Sequence, residues 1–549
     1  MGYLQDTLFD WGCAMIKLLS ISQVRAVEAA ADAGGLTYDD MMDRAGRVIA
    51  FRVKELLDRL PDADRAVTIL VGGGNNGGDG LTAAKHLAQI GGILIRCYLL
   101  HRREGDVLVE QARDAGVSIA YAEDDQRFRV LTNMIASANI VIDALYGIGI
   151  KLPLRDDAAK MLRAAAAALD DTGEPFPLTD PTVPSRRPAR PYLLAVDCPS
   201  GLDCDTGEID RFALHADETV TFIGVKPGLI TFPGAAAVGE LRFSHLGIPA
   251  NLPELRSEKR ILVDDEEVQT RLPNRPADAH KGTFGSVLII GGSGHYIGAP
   301  ALAAKGAYAV GAGLVTVAAP SPVTTALAPS MLETTWLPLS AYHDRENVVI
   351  DAAAAEVVAE NITQVDSLVI GCGIGTHPST EVFFYTLLAR LRDERQHYPT
   401  VILDADALNM LSSRSEWWKL LPPNTILTPH PGEMGRLCGV STADVQKRRL
   451  ELVGEKSAAW NCVVVLKGAH TLIAEPTGRI AALPHKVPAL AKAGTGDTLA
   501  GMIAGIASAG AAPFDAAVCG AYLHASAGMK AMQHINPRSV LASDLARFV

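Results

Sequence analysis

The chain has 549 residues, a net charge of −12, 20% charged residues and eight cysteines. Its length is far above the ~250 to 300 residues at which single cores divide, so two domains of similar size are expected. The negative charge is spread along the chain with no basic stripe, which argues against nucleic acid as the main partner, and no run reaches the ~18 uninterrupted apolar residues of a membrane span.

The N-terminal stretch MGYLQDTLFDWGCAMIKLLSISQ has no basic segment ahead of its apolar part and carries Asp6 and Asp10, so it does not read as an export signal. Residues 1–20 form an N-terminal extension, of which 1–14, ahead of Met15, are either an added segment or a misassigned start. The cysteines are scattered without a CxxC pair or zinc spacing, which points to free thiols in a reducing compartment and a cytoplasmic location.

The strand Val67–Val71 is followed by GGGNNGGDGLTAAKHLA (72–88), a glycine loop passing into a helix. It is neither a Walker loop nor a clean GxGxxG. Its asparagines and aspartate offer oxygen ligands for a hard cation, or donors for a nucleotide phosphate beside free backbone amides. Two later strands end on acids: IVIDALYGIGI (140–150) on Asp143, and LLAVDCPSGLD (193–203) on Asp197, with Ser200 close behind. Carboxyl ends of parallel strands converge on one crevice, so Asn76, Asp143 and Ser200 are expected to meet there. The bland alternative is that Asp143 and Asp197 cap the turns that follow them. Between Asp170 and Pro191 a proline-crowded segment without apolar period reads as a surface excursion.

With MMDRAG (41–46), NNGGDG, DALYGIG, DCPSGLD and GVKPGLITFPG (224–234), the region from about Ile21 to Pro249 resembles the NAD(P)H-hydrate epimerase domain, and the domain is set at 21–250. The resemblance implies a Rossmann-like three-layer α/β/α fold. It further implies a potassium ion on Asn76, Asp143 and Ser200, with substrate held by Asn75, Asn76, Gly77, Gly78 and Asp79, by Gly147, Ile148, Gly149, Ile150, Lys151, Leu152 and Pro153, and by Asp197. A monovalent cation suits these oxygen ligands better than zinc does. Asp143 and Asp197 are both candidates for moving the proton in epimerisation, although the cation occupies Asp143 on this reading.

A polar, charged segment, Asn251 to Val268, separates two runs of βα pattern, with the linker at 251–263 and the second domain at 264–549. HKGTFGSVLIIGGS (280–293) is a strand opening into a glycine turn, and APALAAKGAYAVGAGLVTVA (299–318) reads as a small-residue helix, a turn and a second strand. SLVIGCGIG (367–375), VILDADALNML (401–411), TILTPHPGEMGRL (425–437) and VVVLKGAHTLIA (463–474) each end a strand in a polar or glycine-rich loop, where open parallel sheets place ligands. Last comes AKAGTGDTLAGMIAG (491–505). Gly494 and Gly496 let the backbone approach an anion, and the free amides of a helix starting at Asp497 present partial positive charge to it. A carboxylate there repels phosphate, so Asp497 is either a base that takes a proton from an attacking hydroxyl or simply a helix cap.

This succession resembles the ribokinase-like fold and, within it, the ADP- or ATP-dependent NAD(P)H-hydrate dehydratases; HKGxxG, TPHPGE and KGAHT narrow it to them. The resemblance implies that Gly375, His430 and Asp497 touch the hydrated nicotinamide nucleotide. Lys467, Gly468, Ala469, His470 and Thr471, with Gly494, Thr495 and Gly496, would hold ADP, with magnesium as its companion. Cys372 stands where the family usually has proline, a change expected to alter loop stiffness more than chemistry. Together the two halves imply a bifunctional enzyme of nicotinamide-nucleotide repair. It would epimerise the R and S hydrates of NADH and NADPH (NADHX and NADPHX) and dehydrate the S form, turning ADP into AMP and phosphate. Its partners would be small-molecule nucleotides, and a homo-oligomer is expected. The rival reading is a vitamin-precursor kinase of the same fold fused to a non-catalytic binding domain.

Overall fold

The computed structural model describes residues 15–58, 65–170, 190–344, 347–362, 365–392 and 399–549. The segment ahead of Met15 and most of the proline-crowded excursion at 170–191 lie outside the described residues. The chain divides into two compact units, residues 1–258 and 259–549. The stretch expected as a linker holds a short helix, Pro253–Ser257, and a strand, Arg260–Leu262. No helix among the described residues is long and apolar enough to cross a membrane.

In the first unit, helices α1 (Ile21–Ala33) and α2 (Tyr38–Asp58) precede strand β1 (Ala66–Val71), α3 (Asn75–Ile90), β2 (Leu94–Leu99), α4 (Val107–Asp114), β3 (Ser118–Tyr121), α5 (Arg129–Ala136), β4 (Ile140–Ala144), α6 (Asp156–Asp170), β5 (Tyr192–Val196), β6 (Glu218–Phe222) and β7 (Glu240–Ser244). All strand pairs are parallel, in the order β3-β2-β1-β4-β5-β6-β7. The two-residue period of a strand sends Val67, Ile69 and Val71 into one core with Val48 and Ile49 of α2 and Leu81 of α3. Leu70 and Val141 go to the other, with Leu131 of α5 and Met161 and Leu162 of α6. Two filled faces make the expected three-layer unit. The order reverses between β1 and β4, which opens a crevice at their carboxyl ends.

The second unit contains β8 (Arg260–Leu262), β9 (Ser286–Ile290), α7 (Ala299–Ala309), β10 (Leu314–Pro320), β11 (Thr335–Leu339), β12 (Ser367–Ile370), α8 (Pro378–Arg392), β13 (Thr400–Leu403), β14 (Thr425–Leu427), α9 (Pro431–Cys438), β15 (Val463–Leu466), β16 (Leu472–Ala474), β17 (Ile480–Ala482), α10 (Thr495–Ser508) and α11 (Pro513–His534). Within this unit the order is β8-β17-β16-β15-β14-β13-β12-β9-β10-β11, with β16 antiparallel to both neighbours and the other pairs parallel. The switch point here lies between β9 and β12.

The small residues of α7 and α10 have a packing reason. A β-carbon on Gly306 would lie 2.2 Å from the Thr498 carbonyl oxygen, and one on Gly501 would lie 1.9 Å from that of Ala303. The two helices therefore touch backbone to backbone, and this contact sets the N-terminus of α10 against the sheet.

Candidate functional sites

In the first unit the loops after β1 and β4 line a cavity of about 740 Å³ together with residues of α1, α2, β5 and the β6 end. Asn75, Asn76, Asp79, Gly147, Ile148, Gly149, Ile150 and Asp197 all line it. Gly77 and Gly78 do not: their α-carbons pack inward, where β-carbons would strike the Gly72 carbonyl at 2.1 Å and the Met42 side chain at 2.8 Å. Lys151, Leu152 and Pro153 continue the β4 loop away from the lining.

Asp143 and Ser200, distant in sequence, are in direct contact. The Ser200 hydroxyl donates to one carboxylate oxygen of Asp143 at 2.6 Å and its amide to the other at 2.7 Å, both groups fully buried. The Leu145 amide also reaches Asp143, at 3.3 Å, so the turn-capping reading describes part of what this acid does. Burial pushes the Asp143 carboxyl up to about 6, against the pull of the Ser200 hydrogen bonds. Asn76 is 7% exposed, yet neither its amide oxygen nor its amide nitrogen has a hydrogen-bond partner. A buried primary amide left so costs about 1–3 kcal/mol, which a ligand can recover.

Sequence reading did not single out Lys226, Glu28 or Arg103, which lie in and beside this cavity. Lys226, 1% exposed, donates to an Asp197 carboxylate oxygen, to the Thr221 hydroxyl at 3.0 Å and to the Phe222 carbonyl at 2.9 Å. The same oxygen of Asp197 accepts from the Thr221 hydroxyl at 3.1 Å and the Phe222 amide at 3.2 Å. Asp197 itself takes a left-handed backbone, φ 65°. Glu28 of α1 lines the cavity as well, and burial followed by the Asp197 charge raises its carboxyl. Arg103, ion-paired with Asp106, braces the glycine loop, its guanidinium donating to the carbonyls of Gly72 at 2.9 Å and Gly74 at 3.2 Å. Lys226 had a visible signal: a lysine in the apolar run GVKPGLI, directly after a strand.

In the second unit the predicted residues gather at the carboxyl ends of β12 to β15 and the start of α10. That helix begins at Thr495, two residues before the expected Asp497, because Gly494 turns the chain through a left-handed conformation, φ 89°, and serves as N-cap without a side-chain bond. Asp497 therefore sits inside the first turn and is not the cap. Burial, then the neighbouring Asp404 charge, raise its carboxyl to about 6. Thr495 closes the loop, its hydroxyl donating to the carbonyls of Leu490 at 2.8 Å and Lys492 at 2.9 Å.

Lys467 reaches across to Asp404 at 2.7 Å and to Glu433 at 3.7 Å; both acids are buried and neither was foreseen. Burial works against the Lys467 ammonium, but the two carboxylates outweigh it and its pKa rises. Gly496 lies directly over the pair: a β-carbon there would be 3.4 Å from the ammonium nitrogen and 3.5 Å from an Asp404 oxygen. The Gly375 amide donates to Asp406 at 2.9 Å. His430 caps α9 through its Nδ1, leaves half its ring exposed, and has its pKa lowered by burial and then by Lys467. Gly468 is exposed, and Ala469 and Thr471 are half-buried. His470 differs: its ring is buried against the Leu483 carbonyl, 3.0 Å away, and its amide is bonded to the His485 carbonyl, so it holds the loop from within. Cys372 is fully buried and neighbours Asp497, whose charge helps push the thiol up, so it does more here than alter loop stiffness.

With this geometry in place, two family models match: the NAD(P)H-hydrate dehydratase family over residues 287–549, and the YjeF-related protein N-terminus over residues 38–228. The bifunctional NAD(P)H-hydrate repair enzyme Nnr of Moorella thermoacetica is 36% identical over 517 residues, 93% of this chain and 91% of that protein. The chain belongs to the bifunctional NAD(P)H-hydrate repair enzymes. The Coxiella burnetii Nnr is 33% identical over 97% of this chain and 98% of its own length. Among solved structures, the ADP/ATP-dependent NAD(P)H-hydrate dehydratase of Bacillus subtilis co-crystallised with ATP and magnesium is 31% identical. It covers 52% of this chain and 95% of its own, with a TM-score of 0.45. Membership in the repair enzymes also removes the rival vitamin-precursor kinase from first consideration.

Proposed function

We propose that the two sites act in sequence on one damaged cofactor, the first unit interconverting the R and S hydrates of NADH and NADPH and the second dehydrating the S form with ADP. The observation that carries the dehydratase reading is Asp497, a half-buried carboxylate inside the first turn of α10, beside the glycine anion hole and the Lys467–Asp404 pair. Asp497 takes the proton of the substrate hydroxyl. The hydroxyl oxygen attacks the terminal phosphorus of ADP, and AMP departs. The ring nitrogen lone pair then expels phosphate, and loss of the neighbouring ring proton restores the double bond. Amides of residues 494–497 and the Lys467 ammonium stabilise the charge in transfer. Magnesium would travel on the nucleotide, and Asp404 and Glu433 are the carboxylates placed to meet it. Asp497→Asn should lower dehydration by ~10³-fold or more and leave epimerisation unchanged; dehydration within tenfold of the parent enzyme would remove Asp497 from the role of base.

For the first site, the orphaned Asn76 amide, the Asp143 carboxylate and the Ser200 hydroxyl are oxygen donors that fit a potassium ion. Such an ion would fix the crevice and supply positive charge for the nucleotide phosphates. The scattered free thiols favour a cytoplasmic setting.

A further inference from the structure

One route to epimerising a ring carbon that carries a hydroxyl beside nitrogen uses an acid to help the hydroxyl leave and a base to accept a proton from the water that replaces it on the other face. The cavity of the first unit holds two carboxylates in contrasting surroundings. Asp197, from the end of β5, accepts three donors on one oxygen: the Thr221 hydroxyl, the Phe222 amide and the Lys226 ammonium. Asp79, from the second turn of α3, is half-buried and lines the same cavity, and no hydrogen bond among the described residues reaches its carboxylate. Burial first, and then the charges of Asp197 and Glu28, raise the Asp79 carboxyl well above its ordinary value. Two carboxylates in contrasting surroundings on one cavity can serve as proton donor and proton acceptor.

We propose that Asp79 is the proton donor of the epimerase, Asp197 its proton acceptor, and Lys226 the positioning residue that holds Asp197 to that task. This rests on the epimerase reading of the first unit. Asp79 gives its proton to the departing hydroxyl, which leaves as water with the C–O bonding pair, while the ring nitrogen lone pair forms a C=N bond. Water then adds its oxygen to the same carbon from the opposite face, the C=N pair returns to nitrogen, and the surplus proton passes to Asp197. No co-reactant is consumed, and exchange of one proton with solvent water returns Asp79 and Asp197 to their starting protonation before the next turnover. Lys226 is 1% exposed, has each of its three protons directed to an acceptor, and cannot swing toward the substrate without abandoning them.

The test uses the full chain in potassium buffer without ADP, so that dehydration is silent, and follows the two NADH hydrate epimers by chromatography. Asp79→Asn should lower kcat by ~10³-fold with KM within about threefold, Lys226→Met should lower kcat by ~100-fold, and Lys226→Arg should regain at least about tenfold of that. A rise in KM alone for Asp79→Asn, or kcat within about threefold of the parent, would make Asp79 a binding residue and overturn the assignment. Equal losses in Lys226→Met and Lys226→Arg with unchanged Asp79→Asn kinetics would overturn it too. Should Lys226→Met fail to fold, the near-isosteric Asp79→Asn decides. A parent enzyme no faster than spontaneous epimerisation is a different result, because it removes the epimerase reading itself.

Discussion

The two sites share an architecture and differ in what fills it. Each sits at the switch point of a largely parallel sheet, where a glycine loop runs into a helix, yet the loop of the first unit carries two side-chain amides ahead of its acid, Asp79, and that of the second carries a half-buried acid, Asp497, without them. In the first, Asn76 is an orphaned amide, and Arg103, ion-paired with Asp106, braces the carbonyls of the glycine loop. In the second, Lys467 is already matched by Asp404 and Glu433, and the acid at the helix start has charge to work against. The glycine loop is thus a generic anion cradle, and the reaction is set by the few ionisable groups that the surrounding strand ends deliver.

The largest expected effect that would break this contrast is at Lys467. Lys467→Met leaves Asp404, 1% exposed, without its partner, which should cost the second unit about 3–5 kcal/mol and lower kcat/KM for ADP by more than ~100-fold. Thermal unfolding with and without ADP reads the first effect, steady-state kinetics the second, and epimerisation should be untouched. A smaller effect is expected at the helix contact. Gly501→Ala puts a β-carbon against the Ala303 carbonyl, so it should destabilise the second unit by about 1–3 kcal/mol and raise the KM for ADP as the N-terminus of α10 shifts. An unchanged melting temperature and KM would mean that the close approach of α7 and α10 does not set the anion hole. The gentlest probe is pH. Asp497 must be ionised to accept a proton, and burial raises it to about 6, so dehydration should be flat above that value and fall about tenfold per pH unit below it. An acid limb near 4 would mean that Asp497 is not the group titrating.

Most of the fold was legible because both sheets announce themselves as short apolar runs ended by glycine or an acid. Strands β1, β4, β5, β9 and β12 to β15 all fall where such runs stand. The first site was legible to the extent that its residues sit on those strand ends: Asp143 and Ser200 touch because β4 and β5 are neighbours. Lys226, Asp404 and Glu433 were harder, since their roles come from partners 29, 63 and 34 positions away in sequence that only the sheet order brings close. His470 shows the opposite failure. A residue in a binding-loop motif was assigned with its neighbours, but the bend at 470, φ 51°, turns its ring into the protein while Lys467 faces the site. Cys372 was judged by what proline does to a loop, and its depth beside Asp497 could not be read from composition.

The most direct measurement of the central claim is recovery of dihydronicotinamide absorbance from a mixture of both NADH hydrate epimers, with ADP in potassium buffer, compared with a nucleotide-free control. Two working sites in one chain predict full recovery with ADP, at a rate well above spontaneous epimerisation, and none without nucleotide. Recovery that stops at the S fraction would contradict the claim for the first unit, and no recovery at all would contradict it for the second.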